Sequence, residues 1–198
     1  MNLRSVSRGR AQHVISAGVV VIALALGATG CSGSSSGDGS SSSAPDTKKA
    51  STELKAGLKA HASGDLTTAA ADYKKTLKYD PKNKFAFYNL ALIDEASGNY
   101  GLAEQKYRSA LKSDPTYEPA LYNLAILRTS RDPKEAIQLY KRAVVANKKD
   151  ASAFLNLGLL LRAAGQVKAG NHYVLHAIAL NPKLKDPAKA AAAKTKKS

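Results

Sequence analysis

The only thiol in the 198-residue sequence, Cys31, directly follows Ala28, Thr29 and Gly30. A single cysteine can form neither a disulfide framework, a cysteine-based zinc site nor an iron–sulfur cluster, each of which needs at least two thiols. What it can do is act once, as a nucleophile or an attachment point. His172 and His176 stand four positions apart, a spacing that puts two imidazoles on one helix face and suits a metal. No third ligand lies nearby, and the pair reads as two solvent-facing histidines; His61 stands alone. Gly33-Ser34-Ser35-Ser36-Gly37 satisfies the letters of the nucleophile elbow G-x-S-x-G. That elbow needs a strand before it and a helix after it, and a Ser/Gly tract supplies neither. With no Gly-rich phosphate loop, no H-E-x-x-H and no Ser/His/Asp grouping, the sequence predicts no catalytic residue, no metal and no cofactor.

The segment that must position Cys31 has an address written in it. Arg4, Arg8 and Arg10 precede an apolar run from Val14 to Ala28, which is shorter than the roughly 20 residues a membrane-spanning helix requires. Small residues sit just before the cysteine, so the segment reads as a signal peptide over residues 1–30. Leu26-Gly27-Ala28-Thr29-Gly30-Cys31 resembles the lipobox of bacterial lipoproteins. The resemblance implies a diacylglyceryl group on the Cys31 thiol and cleavage just before it. It departs from the family at Ala28, where leucine is preferred. An uncleaved, tilted anchor is the alternative; either way the basic end stays cytoplasmic and the remainder is exported to the outer side of the membrane. No Arg-Arg pair precedes the run, so nothing supports the twin-arginine route. Beyond it, residues 31–49 are rich in Ser and Gly and hold no aromatic or large aliphatic side chain. They cannot bury enough surface to offset the entropy of ordering and are expected to be a flexible tether.

All nine Tyr and three Phe fall between Tyr73 and Tyr173, so the core must lie around that span. There the sequence repeats itself: Gly64 and Gly98, Ala69 and Ala103, Tyr73 and Tyr107, and Pro81 and Pro115 are each separated by 34 positions, the mark of a repeat array. Four units follow, over 50–83, 84–117, 118–150 and 151–184 of a repeat domain that ends at 184. Apolar residues recur at helical spacing, as in Phe87, Leu90 and Ala91, or Ala103, Tyr107, Ala110 and Leu111, with Gly or Pro near each run's end. Each unit is therefore expected to be two antiparallel helices. One pair cannot bury its apolar face alone, but a stack can.

In the second unit, Leu90, Ala91, Gly98, Tyr100, Ala103, Tyr107, Ala110 and Pro115 resemble the tetratricopeptide repeat (TPR) pattern. Leu121, Leu124, Ala125, Ala136, Tyr140 and Ala143 of the third unit resemble it too, as do Phe154, Leu157, Gly158, Gly165, Ala177 and Pro182 of the fourth. The resemblance implies an all-α fold, a right-handed α-solenoid of about four helix-turn-helix repeats. Three departures carry expectations of their own. The third unit is one residue short and has no turn glycine; there Asp132 can cap the next helix, Pro133 suits its first position and Glu135 can complete a capping box. In the fourth, Gly170 and Val174 replace the usual Ala and aromatic, so its second helix should pack less tightly. The first opens with only Leu54 and Leu58 as large apolar residues.

The same resemblance places the second, fifth, sixth and ninth positions of each unit toward a concave groove. These are Phe85, Tyr88, Asn89 and Leu92; then Pro119, Tyr122, Asn123 and Ile126; then Ser152, Leu155, Asn156 and Leu159. The row of asparagines could hydrogen-bond the backbone of an extended peptide without reading its side chains, although Tyr-Asn-Leu is also the average sequence of the repeat. Leu92, Ile126 and Leu159 form an apolar stripe beside the tyrosines, and such a stripe marks a partner site unless a terminal helix or the tether covers it. Repeats that clamp the carboxylate tails of chaperones carry Lys and Arg where this chain has Pro119, Asn123, Ser152 and Asn156, so that role is not expected.

With 30 Lys and Arg against 15 Asp and Glu, the chain carries a formal net charge of +15. The tail over 185–198, together with Lys183, contributes Lys183, Lys185, Lys189, Lys194, Lys196 and Lys197 against Asp186. Asp186 and Pro187 make a good start for a weak capping helix. An exported protein meets little nucleic acid, so anionic lipid, wall polymer or an acidic partner are the expected targets of this charge. Two functions are consistent with the sequence. One is a membrane-anchored adaptor for envelope proteins that takes a protein or peptide ligand in its groove; the other is a binder of anionic envelope polymer or lipid through its basic surface.

Overall fold

Eight helices in four antiparallel pairs carry the repeats in the computed structural model, which describes residues 45–186. The signal segment, Cys31, the tether as far as 44, and the tail from 187 onward, with Lys189, Lys194, Lys196 and Lys197, lie outside the described residues. The pairs are α1 (Thr47–Ala62) with α2 (Leu66–Tyr79), α3 (Lys84–Ala96) with α4 (Tyr100–Ser113), α5 (Glu118–Arg128) with α6 (Pro133–Ala146), and α7 (Ala151–Ala163) with α8 (Val167–Leu180). Among the described residues there is no strand, and no helix is long and apolar enough to cross a membrane. Packing runs along the chain, each helix resting chiefly on those before and after it. The fold is the expected all-α helical solenoid.

The first helix begins at Thr47, inside the stretch that composition assigned to the tether. Asp46 is the reason: its side chain accepts the Lys49 amide at 3.0 Å, its own amide donates to the Tyr79 carbonyl at 3.0 Å, and Lys49 pairs with its carboxylate at 3.0 Å. One capping residue, invisible to a composition average, converts three tether residues into helix. Asp65, Asn83, Asp132 and Asp150 cap α2, α3, α6 and α7 in the same way.

Between the helices of three pairs, Gly64, Gly98 and Gly165 take φ of +84°, +77° and +79°, a left-handed conformation that glycine adopts without steric cost. The third pair turns without glycine. Its α5 is 11 residues long where α3 and α7 are 13, and the Asp132 amide donates to the Arg128 carbonyl at 2.7 Å. The expected capping box therefore does not form: the Asp132 amide is already used, and the Glu135 carboxylate reaches Arg128 at 2.6 Å and Arg108 at 2.7 Å instead. Two guanidinium partners, each a full positive charge, hold the carboxylate more strongly than one backbone amide would.

Within the first pair a small residue faces a large one. Gly57 faces Tyr73, where an added methyl would come within 2.8 Å of the ring, and Tyr73 and Tyr107 are fully buried. Their hydroxyls find polar partners at equivalent positions one unit apart, His61 Nδ1 at 3.2 Å and Glu95 Oε2 at 2.8 Å. Burial pushes both phenols well above their ordinary pKa.

The fourth pair corrects an expectation. Gly170 and Val174 do not loosen it. A methyl on Gly158 would lie 2.8 Å from the Gly170 carbonyl oxygen and 2.7 Å from Val174 Cγ2, and one on Gly170 would lie 2.6 Å from the Gly158 carbonyl oxygen. Two facing glycines let the backbones of α7 and α8 meet directly, so the lost aromatic volume is taken up by closer approach rather than left as a gap.

Candidate functional site

The inner row runs along α3, α5 and α7, the first helices of the second, third and fourth pairs. Phe85, Tyr88, Asn89, Leu92, Tyr122, Asn123, Ile126, Leu155, Asn156 and Leu159 are all half-buried, Pro119 likewise, and Ser152 is exposed. Tyr88, Leu92, Tyr122, Ile126 and Leu155 pack their inner sides on the core. The outer side of each is left for contact.

The asparagines have structural work as well. Asn123 donates to the Tyr88 hydroxyl at 3.0 Å, and Asn156 donates to the Tyr122 hydroxyl at 3.1 Å. Each bond joins one repeat to the next. Asn89 donates at 2.8 Å to the Phe85 carbonyl of its own helix. The ladder is therefore partly consumed in holding the row together, and Asn123 retains one N–H and its carbonyl oxygen for a ligand. Tyr88 is further fixed edge-on against Tyr117, with centroids 5.5 Å apart, and Tyr122 against Tyr140 at 5.9 Å. Burial pushes the Tyr88 phenol up to about 12, so it is a neutral hydroxyl at physiological pH.

One feature of the row was not read from the sequence. Glu118, the first residue of α5, feels the negative charge of Asp150, the N-cap of α7. Burial, then the Asp150 charge, push the Glu118 carboxyl up to about 7. Asp150 also accepts the Ser152 amide at 2.9 Å. The two acids are separated by 32 positions, close to the repeat period, which is the signal that would have paired them.

Because the folded-state pKa of Glu118 exceeds its ordinary 4.5, the folded chain holds a proton that the unfolded chain releases. The associated stability is complete below about pH 4.5 and is lost as pH rises to about 7. Glu118→Gln is expected to raise the melting temperature at pH 8 by roughly 2–5 °C and to flatten its decline between pH 5 and pH 8. Thermal unfolding followed by circular dichroism at both pH values checks this.

A family signature described as tetratricopeptide repeat matches residues 54–118 and 126–170, more than half of the chain. This chain belongs to the tetratricopeptide repeat family. Among solved structures the TPR chain resembles MamA from Desulfovibrio magneticus RS-1 at 21% identity and a TM-score of 0.60, over 69% of this chain and 77% of that one. It resembles Pseudomonas aeruginosa pilF at 23% identity and a TM-score of 0.60, over 70% and 64%. The first TPR of Spaghetti bound to an HSP90 peptide matches at 22% identity and a TM-score of 0.56, over 61% and 97%. At these identities the likeness is one of fold. No curated protein sequence matches the chain.

Other singled-out residues of the TPR chain fall away from the row. His172 and His176 are both exposed on α8, the ring of His176 lying 4.4 Å from that of Phe154. Among the described residues no group of three or more His, Cys, Asp or Glu is placed to hold a metal ion. His61 is not solitary in the fold, since Tyr73 contacts it, and burial lowers its pKa. Lys183 and Lys185 are exposed. Asp186, expected to open a helix, is buried and pairs bidentately with Arg162 at 2.7 and 2.9 Å. Arg162 occupies the position that contacts a tyrosine hydroxyl in earlier units; with Val174 there instead, the guanidinium is released to hold the chain beyond α8.

Proposed function

We propose that this TPR chain is a membrane-anchored adaptor on the outer side of the cell membrane, binding a peptide or helical segment of an envelope protein along α3, α5 and α7. The observation that carries this reading is the row itself. Tyr88, Leu92, Tyr122, Ile126 and Leu155 are braced on the core from one side and across repeats by Asn123 and Asn156, yet each keeps part of its surface uncovered. A rigid, half-exposed aromatic and apolar strip lowers the ordering cost of taking up a ligand. The lipobox-like segment before Cys31 supports the anchor, and the similar fold of the first TPR of Spaghetti, bound to an HSP90 peptide, supports a peptide ligand. No catalytic role is assigned.

Crosslinking in intact membranes, with Ile126→Asp beside the unchanged chain, tests the groove. A partner crosslinked through the row is expected to be lost in Ile126→Asp, with the helical signal retained; full retention would move the site to another face. Cys31→Ser is expected to leave an unprocessed precursor without lipid, read by mass spectrometry, and a wild-type chain starting elsewhere with a free thiol would overturn the anchor.

A second reading, binding of anionic polymer or lipid, has its own support in Lys74, Lys78, Lys112 and Lys141, exposed on α2, α4 and α6. Moderate salt separates the two, since it screens exposed charge and spares apolar contact.

A further inference from the structure

We propose that the edge of the solenoid built from the repeat-to-repeat turns docks on an anionic lipid leaflet, with the helices rising from the membrane surface. This rests on the anchor reading above and specifies which side of the anchored domain meets the lipid.

The turns themselves place the charge. Asp80 accepts the Lys82 amide at 3.2 Å, Asp114 the Thr116 amide at 2.9 Å, Asn147 the Lys149 amide at 3.0 Å and Asn181 the Lys183 amide at 3.1 Å. One Asx-type turn thus recurs four times and leaves its third residue exposed each time, a lysine in three of the four. Lys78 and Lys112, in the last turns of α2 and α4, and Lys148 are exposed at the same edge. Among the described residues none of these six lysines has an ion pair within 4.0 Å. The acids nearby are engaged: Asp46 pairs with Lys49 at 3.0 Å and Asp114 with Lys84 at 2.6 Å, while Asp80 and Asp150 accept backbone amides. Counted over four residues at each helix end, with the residues that join or flank them from Pro45 to Leu184, this edge holds nine Lys and Arg against five Asp and Glu, and the opposite edge six against five. Midway along the outer helices the cations are mostly used within the fold. Lys75, Lys106 and Arg108 pair with Asp72, Asp94 and Glu104, and Arg142 donates to the Pro115 carbonyl.

Two observations turn a basic edge into a lipid-facing one. The first is where the chain enters the domain. The Asp46 amide donates to the Tyr79 carbonyl at 3.0 Å, which holds the start of α1 at the end of α2 and so at this same edge. Residues 31–44, between Cys31 and that point, can span at most about 50 Å, so an anchor at Cys31 keeps this edge near the leaflet. The second is apolar. Val145 is 73% exposed, three residues before Lys148, and Leu180 is 38% exposed, three residues before Lys183. Apolar side chains among lysines suit the boundary between headgroups and acyl chains. Distance then fixes the orientation. The outer helices are each 14 residues long, about 21 Å from edge to edge, whereas the attraction of a charged leaflet falls off within about 10 Å. Only one edge at a time lies within the field, and the edge with the larger excess of lysine is the one from which the tether leaves.

The test uses the full chain, matured in the cell and reconstituted into phosphatidylcholine vesicles with about one part in three of phosphatidylglycerol. A fluorophore on a new cysteine reports nearness to a nitroxide carried by lipid headgroups. The positions are Thr116→Cys at the turn edge, Gln138→Cys on the outer helix α6 and Ser97→Cys at the opposite edge, all exposed and uncharged. At low salt the label at 116 is expected to be quenched at least about threefold more than the other two. That order is expected to vanish in vesicles of phosphatidylcholine alone, and also when Lys82, Lys148, Lys149 and Lys183 are all changed to Glu. Lys74→Glu with Lys141→Glu is expected to preserve it. Circular dichroism checks that each variant is folded, and the same four lysines changed to Gln replace the glutamate variant if that one is not. Equal quenching at the three positions, stronger quenching at 138, or an order that survives the loss of the four lysines would overturn the proposal. Soluble polyphosphate that abolishes the order at a lower phosphate concentration than the vesicle lipid would give the edge to an anionic polymer and overturn its assignment to lipid. Mass spectrometry separates this from failure of the anchor. If Cys31 carries no lipid, the anchor reading falls and the quenching is repeated with Cys31→Ser, which keeps one label per chain. There the same order upholds the edge and equal quenching overturns it.

Discussion

Gly158→Ala is expected to unfold the last repeat before the rest of the domain. The added methyl group has nowhere to go: on one side stands the Gly170 carbonyl oxygen at 2.8 Å, on the other the Val174 amide nitrogen at 2.8 Å and its Cγ2 at 2.7 Å. A flexible side chain in the way would swing aside, but two of these three atoms are backbone, so α8 must move off α7. Separation breaks the contacts of Val174 and Ala177, both fully buried, and strains the Arg162 bridge to Asn171 and Asp186. Overpacking of this kind costs about 2–3 kcal/mol, or roughly 5–15 °C in melting temperature for a domain of this size. Because repeats are stabilised by their neighbours, the loss should show as an early phase confined to α7 and α8, visible by limited proteolysis. Gly101→Ala is the control, since a methyl there meets nothing within 4 Å. Equal stability of the two variants would refute the close approach.

Asp186→Ala is expected to produce the other large loss. Asp186 is only 7% exposed and receives two bonds from one guanidinium, a geometry that gives direction as well as energy. Removing the carboxylate leaves Arg162 facing a pocket without its anion. Breaking a buried pair on one side costs several kcal/mol; Arg162 keeps 19% of its side chain in solvent, so we expect about 2 kcal/mol. The double change Arg162→Met with Asp186→Leu should recover most of it, because neither charge is then stranded. A double variant as unstable as Asp186→Ala would show that packing, and not charge, fixes the segment after α8.

The repeat period made the helices legible. Gly98, Tyr107 and Pro115 stood where the pattern asked and fold accordingly, because spacing encodes which face of a helix is apolar. Distances between backbones are not encoded that way. Gly170 read as missing volume and proved to be contact, since the sequence shows the size of a side chain but not whether the neighbouring helix can follow it inward. Glu135 read as a local capping residue, yet one of its partners, Arg108, lies 27 positions earlier. Asn123 and Asn156 read as ligand donors in line with Tyr-Asn-Leu, and half of that reading was structural: the tyrosine each one holds belongs to the preceding unit. Glu118 and Asp150 drew no notice because they differ in type and stand at the two ends of one unit, so that only their near-period separation of 32 positions linked them. Whatever depends on the same position one repeat later was read directly; unlike positions brought together by the stacking were not.

Packing carried by successive helices also governs how the chain breathes. Contacts of short sequence separation form quickly and are lost piecemeal, so amide hydrogens in α4 and α5, flanked on both sides, should exchange with solvent most slowly, and those in α1 and α8 fastest. A ligand lying across α3, α5 and α7 would couple three of these openings into one. Its signature would then extend beyond its footprint, as slowed exchange in α8, a helix outside the groove.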